Sequence, residues 1–366
     1  MVILFLIVFG FYFLAMLALL YGWESALQQS TAPSSFQDSI TVIVPFRNEQ
    51  NHLKQLIASL SKQNYPRENF EVILVNDHST DAFKQQITDL PYNFLAIDLD
   101  ENSFGKKAAI THAVELAKGN IIATTDADCQ HNPEWLLSIN HRFANSALQL
   151  LVGPVSIDGR SFFSVLQSIE FSSLIGSGAA LLTLGKPTMA NGANLAFRKS
   201  AFLKVNGYEG NAHIASGDDE FLLRKIHKAF PKGMAFNNSS YSTVVTEPLP
   251  NLVSFFQQRL RWASKWKHNS SFSTRFTAVL VFLFQLSFLA MLAMAIASPN
   301  RANQIITLAK LAIDGIFLWR VSTFLKSKFS IFPFLVLQLV YPVYVIVIAL
   351  LSQFVSYKWK DRVPTK

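Results

Sequence analysis

Two aspartates one residue apart, Asp126 and Asp128, close the apolar run 120–129 (NIIATTDADC). In an extended segment the side chains at i and i+2 point the same way, so both carboxylates can face one divalent cation or the phosphates it carries. Oxygen ligands suit Mg2+ or Mn2+, which are held by one or two carboxylates together with substrate phosphates. A solvated Asp-Ala-Asp turn after a strand is the alternative. Asp77 follows a second apolar run, 71–76 (EVILVN), and three acids, Asp218, Asp219 and Glu220, open a helix at 216–226. Acids in a first helical turn complement the helix dipole without further purpose, or one of them is a general base aimed from that terminus. In the stretch 251–267, Gln258, Arg261, Trp262 and Lys265 fall at i, i+3, i+4 and i+7. They form one stripe of amide, guanidinium, indole and ammonium. Such a stripe suits a nucleotide diphosphate or a sugar ring, because Arg forks onto phosphate and Trp offers a flat face. A basic helix meeting lipid headgroups is the other reading, since Lys267, His268 and Arg275 follow.

The elements that must position these groups begin at Ile40. Residues 40–45 (ITVIVP), 71–76, 94–98 and 121–125 are β-rich runs. Between them, Leu53, Leu56, Ile57 and Leu60 mark one amphipathic helix, and Ala109, Ala113, Leu116 and Ala117 mark another within 106–118. Strands alternating with helices predict an α/β domain with a largely parallel sheet, in which ligands bind beyond the carboxyl ends of the strands. Asp77 and Asp126 both stand at such ends. The apolar stretch 161–185 has helical spacing; core packing is the expectation, and a helix lying on a membrane surface the alternative.

Half of the 366 residues are apolar, too many for a soluble domain alone. Residues 1–22 are long enough to cross a bilayer and lack the basic start of a secretory signal, so an uncleaved anchor is expected, followed by a polar linker at 23–39. Spans are expected at about 276–298, 305–325 and 331–353 in the region 271–366, before a basic tail with Lys358, Lys360, Arg362 and Lys366. Lys310 and Asp314 inside the middle segment are spaced to pair, which lowers the cost of insertion; two spans with a re-entrant middle segment are the alternative. The single cysteine, Cys129, excludes an internal disulfide and fits a reducing compartment. A net charge of +8 points to an anionic partner. Its C-terminal clusters flank spans, which argues against nucleic acid.

Together these residues resemble the membrane-bound glycosyltransferases of family 2, with a GT-A catalytic fold, a group that includes cellulose, chitin and hyaluronan synthases. The motifs are Val44-Pro-Phe-Arg-Asn-Glu49, Val75-Asn-Asp-His-Ser-Thr-Asp81, Gly105-Lys106, Asp126-Ala-Asp128, Gly217-Asp-Asp219 and Gln258-Arg-Leu-Arg-Trp262. The resemblance implies a Rossmann-like, mostly parallel mixed sheet as catalytic domain at 40–270, with one N-terminal and two to three C-terminal transmembrane helices. It implies that Pro45, Glu49, Asp77, Lys106, Asp126 and Asp218 bind the nucleotide-sugar, with Gln258, Arg261 and Trp262 lining the diphosphate and acceptor entrance. Asp128 would be the direct ligand of Mg2+ or Mn2+, and Asp219 the base. Asn76 and Asp218 depart from the residues frequent in relatives, Asp and Glu.

The implied activity is inverting transfer of a sugar from a nucleotide-diphosphate donor, a UDP-sugar by expectation, to a hydroxyl of a lipid or lipid-linked acceptor. The implied place is the cytoplasmic face of a bacterial inner membrane. The layout resembles the ceramide glucosyltransferase-like branch, and four spans look too few to enclose a polymer pore. A processive polysaccharide synthase subunit and a catalytically silent sugar-nucleotide-binding protein are the alternatives. A sugar nucleotidyltransferase would be expected to carry a Gly-rich loop near the first strand, and residues 44–49 contain no glycine.

Overall fold

The computed structural model describes residues 2–29, 38–212, 214, 216–264 and 272–354. Lys265, Lys267, His268, residues 30–37 of the linker and the whole basic tail lie outside the described residues, as do the side chains of residues 1–4 and 272–277. In chain order the elements are α1 (Val2–Leu27), β1 (Ile40–Phe46), α2 (Leu53–Ser61), β2 (Phe70–Asn76), β3 (Phe94–Asp98), α3 (Gly105–Leu116), β4 (Ile121–Thr124), β5 (Cys129–Gln130), α4 (Trp135–Phe143), β6 (Leu150–Val152) and β7 (Val155–Ile157). There follow α5 (Phe162–Thr183), β8 (Leu195–Arg198), α6 (Lys199–Lys204), α7 (Asp218–Ala229), β9 (Met234–Phe236), β10 (Val244–Thr246), α8 (Leu252–Ser264), α9 (Phe272–Ala297), α10 (Arg301–Phe324) and α11 (Ile331–Phe354). The chain divides into two compact units, one of residues 24–157 and 178–247, the other of residues 1–23, 158–177 and 248–366.

The first unit is a mixed, mostly parallel α/β fold. Its seven-stranded sheet has the order β3-β2-β1-β4-β8-β6-β9. The strands β1 to β4 run parallel, while β8 is antiparallel to both β4 and β6. Central strands covered on both faces need continuous apolar runs, and Val42, Ile43, Val44, Val72, Leu74, Val75, Ile121, Ile122 and Ala123 are all buried. Pro45 is tolerated in the central β1 because its β4 partner has already ended: that ladder stops at Ile43↔Thr124, and Pro45 pairs only with Val75 of β2. A small sheet, β5-β10-β7, lies beside the large one in sequence-distant pairings.

Two details differ from the sequence-based expectation. The buried face of α3 is formed by Ala109, Ile110, Ala113 and Val114, whereas Leu116 is 47% exposed. Lys107 is buried as well, its Nζ donating to the carbonyls of Asn211 and Ile214 at 2.8 and 2.9 Å, and the expected Ala117 is buried with the other alanines. The second difference is at Asp126 and Asp128, which do not sit on one extended segment. The strand β4 ends at Thr124, and the chain turns so that the Cys129 amide donates to the Asp126 carbonyl at 3.3 Å before β5 pairs with β10.

The other unit is helical. Among the described residues, four helices are long and apolar enough to cross a membrane: Phe5–Leu27, Phe162–Thr183, Ala278–Ala297 and Ile331–Phe354. The expected span at 305–325 forms a helix, α10, but is not one of the four, because Lys310, Asp314 and Arg320 reduce its hydropathy. Its place in that set is taken by α5, which is 67% buried and so packs largely as core. Phe5, Phe9, Phe288, Met291 and Ile306 join α1, α9 and α10 in one apolar cluster.

Inside this bundle Lys310 and Asp314 do pair, Nζ to Oδ2 at 2.8 Å, with side chains only 5% and 9% exposed. Tyr12 of α1 donates to Asp314, and Lys310 also donates to Gln338 of α11 and lies 4.2 Å from the Phe288 ring centre. Removing one partner of a buried pair leaves an uncompensated charge and costs about 3–5 kcal/mol, whereas replacing both by apolar residues is often neutral. Thermal unfolding in detergent should therefore show Lys310→Ala strongly destabilised and a Lys310→Met/Asp314→Leu double variant close to wild type.

Candidate active site

The carboxyl ends of β1, β2 and β4 bring three motifs to one edge of the α/β unit. Register places Phe46 beside Asn76, so the loops after β1 and β2 are neighbours and interlace. One guanidinium nitrogen of Arg47 donates to the carbonyls of Asp77 and His78 at 2.8 and 2.7 Å. The Asn48 amide donates to Ser79 Oγ at 2.9 Å, the Thr80 amide to Asn48 Oδ1 at 2.8 Å, and the Gln50 amide to Asp81 Oδ2 at 2.8 Å. Asn48 and His78 hold positive φ of 53° and 56°, the left-handed backbone that Asn and His accept more readily than most residues. Asn76 is structural here: its Nδ2 donates to Asp98 Oδ1 at 2.7 Å and its Oδ1 accepts from the Ser79 amide at 2.9 Å.

Asp77 is buried and reaches across to the start of α3, where the Gly105 amide donates to its Oδ2 at 3.1 Å. That contact sets the direction of α3 and hence of the next residue, Lys106. Lys106 Nζ lies 2.6 Å from Asp126 Oδ1 and 3.4 Å from Asp218 Oδ2. Burial alone would lower the lysine's pKa, but Asp126, Asp218 and Asp219 outweigh it and raise it, so Lys106 is a fixed cation. Asp219, next along α7, accepts from the Gly192 amide at 3.3 Å through Oδ2 and from the Glu220 amide at 2.7 Å through Oδ1. Gly217, at φ 84°, turns the chain into α7 so that both aspartates start the helix, while Glu220 pairs with Arg224 one turn on. A carboxylate in this setting can accept a proton from a hydroxyl brought to the strand ends.

Asp128 faces elsewhere. Its Oδ2 accepts from Thr246 Oγ1 of β10 at 3.2 Å. Burial, then the charges of Asp126 and Glu49, push its carboxyl above the usual range. Glu49 contacts His52 Nδ1 at 2.6 Å, and His52 Nε2 lies 3.5 Å from Glu247. A buried carboxylate raised by its acidic neighbours is relieved by an added cation, so the residues present fit a hard divalent ion. Among the described residues no three His, Cys, Asp or Glu are gathered into a ready-made ligand set. Substrate phosphates and water would have to complete the coordination, as they commonly do for Mg2+.

Several residues of this edge carried no signal in the sequence. His131 is buried; burial pushes its pKa down to about 3, so it is neutral, hydrogen-bonded with Thr125 Oγ1 at 2.9 Å and Ser59 Oγ at 3.2 Å. It anchors the turn that presents Asp126. Gly192 is a second case: a Cβ there would lie 2.6 Å from Asp218 Oδ2 and 2.8 Å from Lys106 Nζ. Gly192→Ala should push these two apart and weaken donor binding by roughly tenfold, the scale of one charge-assisted contact, with little change in thermal stability; calorimetric titration with nucleotide checks this.

Gln258, Arg261 and Trp262 belong to the helical unit. On α8 the residue between them, Arg259, is the buried one, paired with Glu170 of α5; their side chains are 4% and 5% exposed. The Gln258 carbonyl accepts from Arg259, and the Trp262 ring lies 4.2 Å from the Arg259 guanidinium carbon.

With this geometry in hand, residues 41–205 match the family model described as Glycosyl transferase family 2. Residues 41–205 are thus similar to the glycosyltransferases of family 2, and the α/β unit has a GT-A fold. Among its relatives, glycosyltransferase AglE of Haloferax volcanii is 29% identical over 203 residues, 52% of this chain and 62% of AglE. The beta-monoglucosyldiacylglycerol synthase of a Nostoc species is 24% identical over 61% of this chain and 48% of its own length. The chain therefore spans less than two thirds of either relative. In fold it is similar to the mannosyltransferase PcManGT from Pyrobaculum calidifontis, solved with GDP-Man and Mn2+, at TM-score 0.62 and 18% identity over 97% of this chain and 99% of that one.

Proposed function

We propose that this protein is an inverting glycosyltransferase. It moves a sugar from a nucleoside-diphosphate donor, a UDP-sugar in the simplest case, to a hydroxyl of a lipid or lipid-linked acceptor at the cytoplasmic face of a cell membrane, a bacterial inner membrane by expectation. The observation that carries this reading is the array at the strand ends: Lys106 between Asp126 and Asp218, Asp219 at the helix start, and the buried Asp128. The family match over residues 41–205 supports the class of reaction, and the four apolar helices together with a relative named for a glucosyldiacylglycerol support an acceptor of the lipid class.

In this mechanism Asp219 takes the proton of the acceptor hydroxyl as its oxygen bonds to the anomeric carbon, and the bond from that carbon to the diphosphate breaks on the opposite face. The configuration inverts because the displacement is single and in line. Lys106 offers a fixed positive charge beside Asp126 and Asp218, and Glu49, Asp77 and Pro45 shape the loop edge where the nucleotide is held. Mg2+ or Mn2+ held by Asp128 would supply neutralising charge for the departing nucleoside diphosphate. Gln258, Arg261 and Trp262 are assigned to donor and acceptor binding.

Membranes carrying the protein, incubated with labelled nucleotide-sugars and extracted into organic solvent, should yield a labelled lipid that depends on divalent cation. Label found only in long water-soluble polymer would overturn the single-addition reading. Absence of both transfer and donor hydrolysis would leave a silent binding protein.

A further inference from the structure

Glu170 lies in α5, a helix otherwise apolar enough to cross a membrane. Its carboxylate meets the Arg259 guanidinium through two contacts, Nε to Oε1 at 3.2 Å and a second one from the terminal nitrogen to Oε2. A buried pair of this kind is poorly explained by stability, because apolar residues of similar volume pack at least as well. What the pair does provide is orientation. Arg259 has its guanidinium over two rings of its own helix, Phe255 at 4.5 Å and Trp262 at 4.2 Å, and it occupies the Gln258 carbonyl. The residue after Glu170, Phe171, meets the Trp262 ring at 6.2 Å between centres. Tyr344 of α11 packs on Phe255 and Phe256 at 5.6 and 6.2 Å, so α8 is held from that side as well.

We propose that Glu170 is a positioning residue: by fixing Arg259 with a two-point contact, it sets the indole of Trp262 and the amide of Gln258 for the nucleotide-sugar. The inference rests on the assignment of Gln258 and Trp262 to substrate binding given above. The planar guanidinium is suited to this task, since its fork is pre-organised for a carboxylate while its face stacks on an aromatic ring. A lysine could make the charge pair but not both contacts at once.

The test is a double-mutant cycle in the full-length protein in detergent or nanodiscs, reading KM for the donor and kcat separately, with thermal unfolding alongside. Glu170→Gln keeps the shape and removes the charge. It should raise donor KM by roughly tenfold, within the coupling range of residues in contact, and Glu170→Asp should recover part of this. In the Trp262→Ala background, Glu170→Gln should raise donor KM by clearly less than in the wild type, because one of the two groups it positions is gone. If Glu170→Gln does not accumulate as folded protein, Arg259→Lys is read in the same way. Unchanged KM with lowered stability, or effects of Glu170→Gln and Trp262→Ala that simply multiply, would overturn the positioning role while leaving the transferase reading intact. No transfer by the wild type, or no change of KM in Trp262→Ala, would instead overturn the underlying functional assignment and the proposal with it.

Discussion

Asp219→Asn should lower sugar transfer by about 10²–10⁴-fold, the range attributable to a positioned general base, while nucleotide binding stays near wild type. This corresponds to a barrier higher by about 3–5 kcal/mol. The geometry explains why the two readouts separate. Asp219 is held by two backbone amides, Gly192 at 3.3 Å and Glu220 at 2.7 Å, whereas Lys106 pairs with Asp126 and Asp218. An asparagine keeps one carbonyl oxygen for an amide but has no carboxylate to take the acceptor's proton. Unfolding temperature serves as the control, because the amide pair of Asn faces one N–H of the backbone and costs a little stability. Labelled-sugar transfer together with titration of nucleotide gives the comparison; near-normal transfer in this variant would remove Asp219 from its role as base.

Asp128→Asn has a different signature. Its carboxyl is pushed up by burial and by Asp126 and Glu49, so its ionised form is a cost to the folded protein in the absence of a counter-ion. Neutralising it should leave the unfolding temperature of the cation-free protein unchanged or slightly higher. The same change should abolish the rise in unfolding temperature that Mn2+ plus nucleoside diphosphate produces in the wild type, since ligand that binds only the folded state stabilises by mass action. Donor affinity in the presence of Mn2+ should fall by tenfold to a hundredfold, from loss of about 1.5–3 kcal/mol in a charged contact. A Mn2+-dependent stabilisation that survived Asp128→Asn would move the cation away from this residue.

Much of the α/β unit is legible along the chain because its strands are short and buried on both faces. Runs such as residues 71–76 have no alternation to misread, and Asp77 and Asp126 mark where the runs stop. Pattern fails where a single side chain overrides it. On α3 the expected alanines Ala109, Ala113 and Ala117 are buried, but Leu116 is exposed while Lys107 is buried on two carbonyls. Likewise the spacing of Asp126 and Asp128 implies a shared face only while the chain stays extended, and it turns instead, sending one carboxylate to Lys106 and the other to Thr246. The importance of His131 and Gly192 lies largely in what approaches them from other segments: Ser59 at His131, and Lys106 and Asp218 at Gly192.

The helical unit divides in the same way. Length and hydropathy identify α1, α9 and α11, and the spacing of Lys310 and Asp314 foretells their pairing, since both are properties of consecutive residues. The standing of α5 and the buried Arg259–Glu170 pair depend on which helices are packed together, and no local pattern records that.

What the sequence alone determined, then, is the set of strand ends, helix starts and apolar helices, together with the chemical types of the groups placed there, because periodicity and burial act over a few residues. Tertiary structure alone decided the partners: Lys106 with Asp126 and Asp218, Asp128 with Thr246, Glu170 with Arg259. Each of these joins segments between about 20 and 120 residues apart, and such contacts are chosen by the packing of whole elements and by the cost of leaving a buried charge without a partner.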